Sequence, residues 1–238
     1  MKKPNKIVFL LPNFFTAASI FLGMLSIVKA SVGQFEISAW LIMAATVFDG
    51  LDGRVARLTN TMSNFGAEFD SLADIVAFGV APAMLLYFYA GHSYGKFGFL
   101  ATALFVIFGA IRLARFNSAS QNKEPSVFIG LPIPAAASAI SMGVLFLLDY
   151  KFKNLNLLFL ITTLVVGVLM VSHIRYPSLK KIDINNTFFY KTLVILTIIF
   201  SVIYVYSIEG IAIIILGYII YGPLRAIYLF FTKRKKAN

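Results

Sequence analysis

Half of the ten acidic residues in this 238-residue chain lie in one stretch, DGLDGRVARLTNTMSNFGAEFDSLAD, spanning positions 49 to 74. They are Asp49, Asp52, Glu68, Asp70 and Asp74. On a helix, Asp49 and Asp52 are three apart and share a face; Asp70 and Asp74 are four apart and share another. A short turn over residues 59–64 makes the two helices antiparallel neighbours, so four carboxylates converge on one small volume. At low dielectric they repel, and Arg54 and Arg57 offset two charges at most. Divalent cations resolve the repulsion. An all-oxygen donor set without His or Cys suits Mg²⁺, Mn²⁺ or Ca²⁺ rather than Zn²⁺. Gly50, Gly53 and Gly66 are poor helix formers. Gly53 and Gly66 lie beside or between the carboxylates, where they admit either a second backbone or a bulky phosphate. Small Ala56 fits the same use, and Arg57 can fork onto a phosphate.

The elements that must position these side chains are set by solvent. Only 13% of the chain is charged and mean hydropathy is +0.84, whereas a soluble domain carries about 25% charged residues. Several apolar runs reach the roughly 20 residues needed to cross hydrocarbon. The sequence predicts an all-α polytopic membrane protein of about eight spans, near 7–30, 36–58, 65–91, 97–117, 130–149, 154–174, 190–208 and 210–231. Polar stretches are short, so residues 1–238 read as a single integral-membrane domain. The basic start MKKPNKIVFLLPNFF leads into an apolar run longer than a signal-peptide core, which predicts a retained first helix. The absence of cysteine excludes disulfides and thiol catalysis. The net charge of +11 and the KRKK tail suit an anionic leaflet. No nucleic-acid partner is expected, because no soluble module presents a basic face.

Basic residues orient the bundle. With the N-terminus in the cytoplasm, only Lys29, Lys96, Lys151 and Lys153 of the 21 basic residues fall on the far side. Both termini are therefore expected in the cytoplasm, which requires an even number of spans in the inner (cytoplasmic) membrane. The acidic segment then lies at the cytoplasmic ends of the second and third helices. Ionisable groups inside a membrane are functional by default. Two other readings compete: interfacial charges that cap helices, and an ion pathway of a cation or proton transporter. Transporter carboxylates sit near the bilayer midplane, whereas these lie toward one end, beside two arginines.

The spacing Asp49-x2-Asp52-Gly53-x2-Ala56-Arg57-x8-Gly66-x3-Asp70-x3-Asp74 resembles the signature of the CDP-alcohol phosphatidyltransferases at every fixed position. The resemblance implies a helical bundle with a polar active-site cavity open to the cytoplasm, usually a homodimer in the lipid bilayer. It implies that a CDP-linked lipid gives its phosphatidyl group to an alcohol, with CMP leaving. It further implies two divalent cations, Mg²⁺ or Mn²⁺. Asp49, Asp52 and Asp70 match metal ligands; Asp74 matches both a contributor to the second metal and the general base. Gly53 and Arg57 match CDP-lipid contacts, with Ala56 and Gly66 in the same motif. Ser63 matches a position that touches the nucleotide-lipid.

Three further stretches resemble the serine-using bacterial branch, the phosphatidylserine synthases. In LPNFFTAASIFLG, Pro12, Asn13 and Thr16 match the entry of the first helix, while Ser19 stands where Asn is common. The others are IRLARFN (111–117) followed by GLPIPAAA (130–137), and SHIRYPSLK (172–180). This implies CDP-diacylglycerol and L-serine as substrates. A zwitterionic amino acid needs a cation for its carboxylate, and Arg112, Arg115 and Arg175 are the candidates, with Asn117 able to donate and accept. A relative using glycerol-3-phosphate would also want cations here, and inositol is a third possible acceptor. The stretch PAAASA offers small surfaces for helix packing. The last two helices, over 190–231, carry no recognised motif.

Overall fold

The computed structural model describes residues 10–119, 127–177 and 207–237. In chain order they form α1 (Leu10–Ser31), α2 (Phe35–Leu58), α3 (Asn64–Tyr89), a 3₁₀ turn (Gly91–Tyr94) and α4 (Gly95–Ala119). Then come β1 (Val127–Ile129), α5 (Ile133–Asp149), α6 (Asn156–Val171), β2 (Arg175–Pro177) and α7 (Ser207–Ala237). Among the described residues, four helical stretches can cross a membrane by length and composition: Leu10–Ser31, Asn64–Tyr89, Gly91–Ser118 and Ile208–Leu229. Helices α5 and α6 are apolar but shorter. The chain is thus mostly helical, as a membrane protein of this hydropathy must be, since a helix satisfies its own backbone groups in lipid. The span expected at 190–208 lies outside the described residues.

Two local expectations are corrected. The tripeptide Ile208-Glu209-Gly210, where the expected spans 190–208 and 210–231 leave room only for a tight turn, lies in the first turn of α7. A carboxylate there is favoured by the helix dipole, and the Tyr150 hydroxyl donates to Glu209 Oε1 at 2.8 Å. The segments around 127–129 and 175–177, expected as loops, pair as an antiparallel ribbon with Phe128 opposite Tyr176 and Ile129 opposite Arg175. Non-helical backbone packed into a bundle must find partners, and here the two segments supply each other's.

Small residues set the helix crossings. Ser26 Oγ and Ser38 Oγ lie 2.8 Å apart between α1 and α2. A Cβ on Gly23 of α1 would come within 2.8 Å of the Ala77 backbone of α3. Such close approach is the usual route to stable helix packing in lipid. Helix α3 contains a π segment, Ile75–Val80, that begins directly after Asp74. A π turn adds a residue per turn and shifts the helix face, a device common beside functional sites. Ala77 and Phe78 within it, and Leu85 and Leu86 beyond it, are fully buried, in one core with Ile133, Ala136, Ala137 and Ile140 of α5.

Candidate active site

The turn between α2 and α3 is built locally. Asn60 takes a left-handed conformation (φ 52°), one that Asn tolerates better than most residues. The Thr59 hydroxyl donates to Val55 O at 2.7 Å, and Thr61 N–H donates to Ala56 O at 3.0 Å, closing α2. Ser63 caps α3 by accepting from Gly66 N–H at 3.0 Å. The helices therefore run antiparallel, and the carboxylates lie between about 9 and 15 Å in from the turn end, at 1.5 Å per residue.

Asp49, Asp70 and Asp74 converge, each with one carboxylate oxygen within 4.8 Å of the others. At an effective dielectric constant of ~20, each such pair repels by about 3 kcal/mol. Asp74 is only 9% exposed, and its Oδ1 is buried without a hydrogen-bond partner. A buried carboxylate oxygen without a donor is uncommon. Beside two further carboxylates, and with no nitrogen or sulfur ligand, it fits a hard divalent cation. The fourth carboxylate adjoins this group through Asp70 and also bonds to α1. Asp52, 6% exposed, accepts from the Thr16 hydroxyl of α1 at 2.7 Å, with Asp70 beside it. So three carboxylates gather, and Asp52 links the group to α1.

The glycines resolve an ambiguity in the sequence. A Cβ on Gly53 would have no atom nearer than Arg57 Nη1 at 3.9 Å, and one on Gly50 would have none within 4 Å. On Gly66 it would meet only the Ser63 hydroxyl (3.2 Å) and Asn13 Oδ1 (3.6 Å). Among the described residues no second backbone presses on these positions, which leaves open space beside the backbone there. Asn13, Ser63 and Gly66 thus share one edge, where α1 meets the start of α3. Ala56 is half-buried on α2, and Arg57 is exposed in its last turn.

The basic candidates separate. Arg112 on α4 is 6% exposed and its Nε has no hydrogen-bond partner. Its guanidinium lies 5.8 Å from the Phe116 ring centre and in the electrostatic field of Asp74, Tyr218 and Arg115. Arg115, one turn on, is engaged by backbone. It donates to Val171 O (2.9 Å), Ser172 O (3.1 Å) and Ile129 O (3.3 Å), tying the end of α6 to β1. Asn117 Nδ2 donates to Ser71 Oγ at 3.0 Å, joining α4 to the acidic face of α3. Arg175 is exposed on β2. The structure thus brings Arg112 and Asn117 to the carboxylate helix and holds Arg115 in the scaffold. Two concavities lined by Glu36 and Leu148 lie at the other end of α2 and include none of these residues.

Sequence reasoning missed Ser71, Tyr176 and Tyr218. Ser71 sits between Asp70 and Asp74, so the motif itself pointed to it. Tyr176 is fully buried and donates to Ile219 O at 3.2 Å. Tyr218 donates to Pro177 O at 3.3 Å, and the two rings lie 5.4 Å apart. Nothing in the apolar run GYIIYG distinguishes Tyr218 from an interfacial anchor.

The family model for "CDP-alcohol phosphatidyltransferase" matches residues 9–221. A Helicobacter pylori (strain J99) protein called CDP-diacylglycerol–serine O-phosphatidyltransferase is 50% identical, covering 98% of this chain and all of its own length. A Methanocaldococcus jannaschii protein of the same name is 40% identical over 67% of this chain and 73% of its own. The archaetidylserine synthase of Methanothermobacter thermautotrophicus is 38% identical over 70% of this chain and 69% of its own.

Proposed function

Because the chain belongs to the CDP-alcohol phosphatidyltransferase family, we propose that it makes phosphatidylserine. It transfers the phosphatidyl group of CDP-diacylglycerol to the hydroxyl of L-serine and releases CMP. The observation that carries this reading is the convergence of Asp49, Asp70 and Asp74, with an unpartnered Asp74 oxygen and Arg112 nearby. Asp49, Asp52, Asp70 and Asp74 would hold two divalent cations, Mg²⁺ or Mn²⁺, which when bound supply charge neutralisation for the pyrophosphate and the departing CMP.

The chain's own residues do the rest. Arg57, beside the open backbone at Gly53 and Ala56, grips the phosphates. Asn13, Thr16, Ser63 and Gly66 line the nucleotide edge. Asp74 takes the proton of the serine hydroxyl on the carboxylate oxygen that is not engaged by a cation. The serine oxygen bonds to the phosphorus that carries the diacylglycerol, and the bond from that phosphorus to the CMP oxygen breaks. Such transfer needs mainly positioning and charge stabilisation. Arg112 receives the serine carboxylate, with Asn117 and Arg175 at the same end. Serine over its rivals is supported by the names of the relatives and by the state of the arginines. Arg115 is committed to carbonyls, so the buried cation on offer matches one carboxylate better than the dianionic phosphate of glycerol-3-phosphate.

In this reading residues 1–238 work as one integral-membrane unit of eight spans, as a homodimer in the inner membrane. Both termini, and the cavity around the carboxylates, face the cytoplasm. The test is CMP release by the purified protein with CDP-diacylglycerol and Mg²⁺ or Mn²⁺, adding serine, glycerol-3-phosphate or inositol singly. Release with serine alone is expected. Release with another alcohol alone changes the acceptor. No release with any, together with metal flux into vesicles, overturns the reading in favour of a transporter.

A further inference from the structure

The first helix, α1, reaches the acidic group through one hydroxyl. Thr16 is 3% exposed, and its Oγ1 donates to Asp52 Oδ2 at 2.7 Å. The Pro12 carbonyl, one turn back, lies 3.2 Å from the same oxygen. A hydroxyl has one proton, and the shorter contact, to a carboxylate, is the stronger of the two. The carbonyl four residues back is a common partner of a helical threonine and favours the rotamer that keeps Oγ1 on this side. Asp52 is itself 6% exposed, so the bond lies inside the bundle. Asp52 shares a helix face with Asp49, three residues before it, and adjoins Asp70, one of the three converging carboxylates. Two crossings fix the height of α1 against these helices: Ser26 Oγ lies 2.8 Å from Ser38 Oγ on α2, and Gly23 packs on the Ala77 backbone of α3.

We propose that Thr16 is a positioning residue whose hydroxyl serves a divalent cation through Asp52. This rests on the cation reading of the carboxylates above. A carboxylate turns easily about its last torsion and can offer a hard cation one oxygen or both. The Thr16 proton occupies Oδ2, which sets the plane of the Asp52 group and leaves Oδ1 as its ligand atom. Carboxylates that bind metals are ordinarily oriented by such a second hydrogen bond. Thr16 thereby differs from Asn13 and Ser63 on the nucleotide edge. Asn13 is half-buried and Ser63 exposed, within reach of a ligand, whereas the Thr16 hydroxyl is buried and its proton is committed to a carboxylate.

Three substitutions test this in the full chain in detergent. Thr16→Val keeps the shape and removes the proton, Thr16→Ser keeps the hydroxyl, and Ser26→Ala removes the other hydroxyl contact between α1 and α2. Mn²⁺ binding is followed without substrates by the electron paramagnetic resonance signal of the free ion. The KM for CDP-diacylglycerol is taken from CMP release at saturating Mn²⁺ and serine. Thr16→Val is expected to weaken Mn²⁺ binding roughly tenfold, the usual cost of losing the group behind a metal ligand, with the KM for CDP-diacylglycerol unchanged. Thr16→Ser restores binding to near wild type. Ser26→Ala lowers the unfolding temperature and leaves Mn²⁺ binding alone. Unchanged Mn²⁺ binding in Thr16→Val overturns the proposal, and a raised KM for CDP-diacylglycerol beside it assigns the hydroxyl to the nucleotide. An equal loss in Ser26→Ala overturns it too, by assigning the effect to the helix crossing, as does a Thr16→Ser protein that binds no better than Thr16→Val. Should Thr16→Val not fold, Asp52→Ala carries the comparison, since it removes the buried charge left without a donor. Adding Thr16→Val to it is expected to change Mn²⁺ binding no further, and a further loss overturns the proposal. Wild-type protein that binds no Mn²⁺ overturns the cation reading and the proposal with it; wild-type binding that Thr16→Val retains in full strikes at Thr16 alone.

Discussion

The acidic wall of the site is made by neighbours in sequence, and the basic side is fixed by contacts between Arg115 and residues 56 and 57 positions further on. Asp49, Asp70 and Asp74 meet because a short turn folds one helix back on the next. Arg115 instead ties α4 to the end of α6 and to β1, while Tyr176 and Tyr218 tie β2 to α7 by donating to Ile219 O and Pro177 O. The difference goes beyond chain connectivity. The acidic wall gathers like charges and has a negative excess to be neutralised from outside. On the basic wall, Arg115 saturates carbonyls while Arg112 keeps an unpartnered Nε. Two arginines one helical turn apart thus have different states, one spent on architecture and one with a buried Nε that no group meets. The lesson is that residue type and depth alone do not mark a ligand contact; the accounting of hydrogen-bond partners does.

The largest expected effect breaks the acidic wall. Asp74→Asn removes the proposed base and one ligand without changing shape. CMP release should fall on the order of 10³–10⁴-fold, while heat stability in the absence of divalent cations holds or rises, because a repelling charge has gone. Near-normal turnover would show that the cluster serves something other than phosphatidyl transfer.

The next two predictions set the arginines against each other. Arg112→Gln should lower kcat/KM for serine roughly a hundredfold, in line with losing one member of a buried charge pair. Its KM for CDP-diacylglycerol should change little. Arg115→Gln should do the reverse. It strands carbonyls at the end of α6 and in β1, and should cost about 2–4 kcal/mol of stability. The expected readout is a lowered unfolding temperature with a near-normal serine KM. If Arg115→Gln raised the serine KM and left stability intact, the division between the two arginines would collapse.

This contrast also explains what could be read in advance. The helix–turn–helix from 35 to 89 was legible because helical periodicity, a turn and a charge cluster are all local signals. The carboxylate group followed from it, but not the bond that Asp52 makes outside the two helices. Its partner Thr16 lies on α1, and no spacing rule links positions 16 and 52. The ribbon was not legible: its strands have three residues each, too few for an alternating pattern. Their pairing depends on Gly130, which turns at φ 79° and donates its N–H to Ile174 O at 2.8 Å. Arg112 and Arg115 looked alike because type and spacing are alike; what separates them is the carbonyl-rich end of α6. Tyr218 was invisible for the same reason, as its partners at 176 and 177 are set only by packing.

The smallest effect isolates the ligand from the fold. At Gly53 an added methyl meets nothing closer than Arg57 Nη1 at 3.9 Å. Gly→Ala inside a helix is worth about 1 kcal/mol of added stability when the backbone is helical, so Gly53→Ala should unfold at the same temperature or slightly higher. The space that methyl enters is the one assigned to the lipid pyrophosphate. The KM for CDP-diacylglycerol should therefore rise severalfold while the KM for serine holds. Gly130→Ala is the control with the opposite sign. Its φ of 79° is left-handed and a Cβ there would strike Met170 O, so the loss should fall on stability rather than on the KM for CDP-diacylglycerol. Stability and lipid affinity moving in opposite directions in Gly53→Ala would identify that glycine as room kept for a substrate. A fall in both would mean that α2 needs the glycine for its own packing, and the acidic wall would then owe its open backbone to the fold alone.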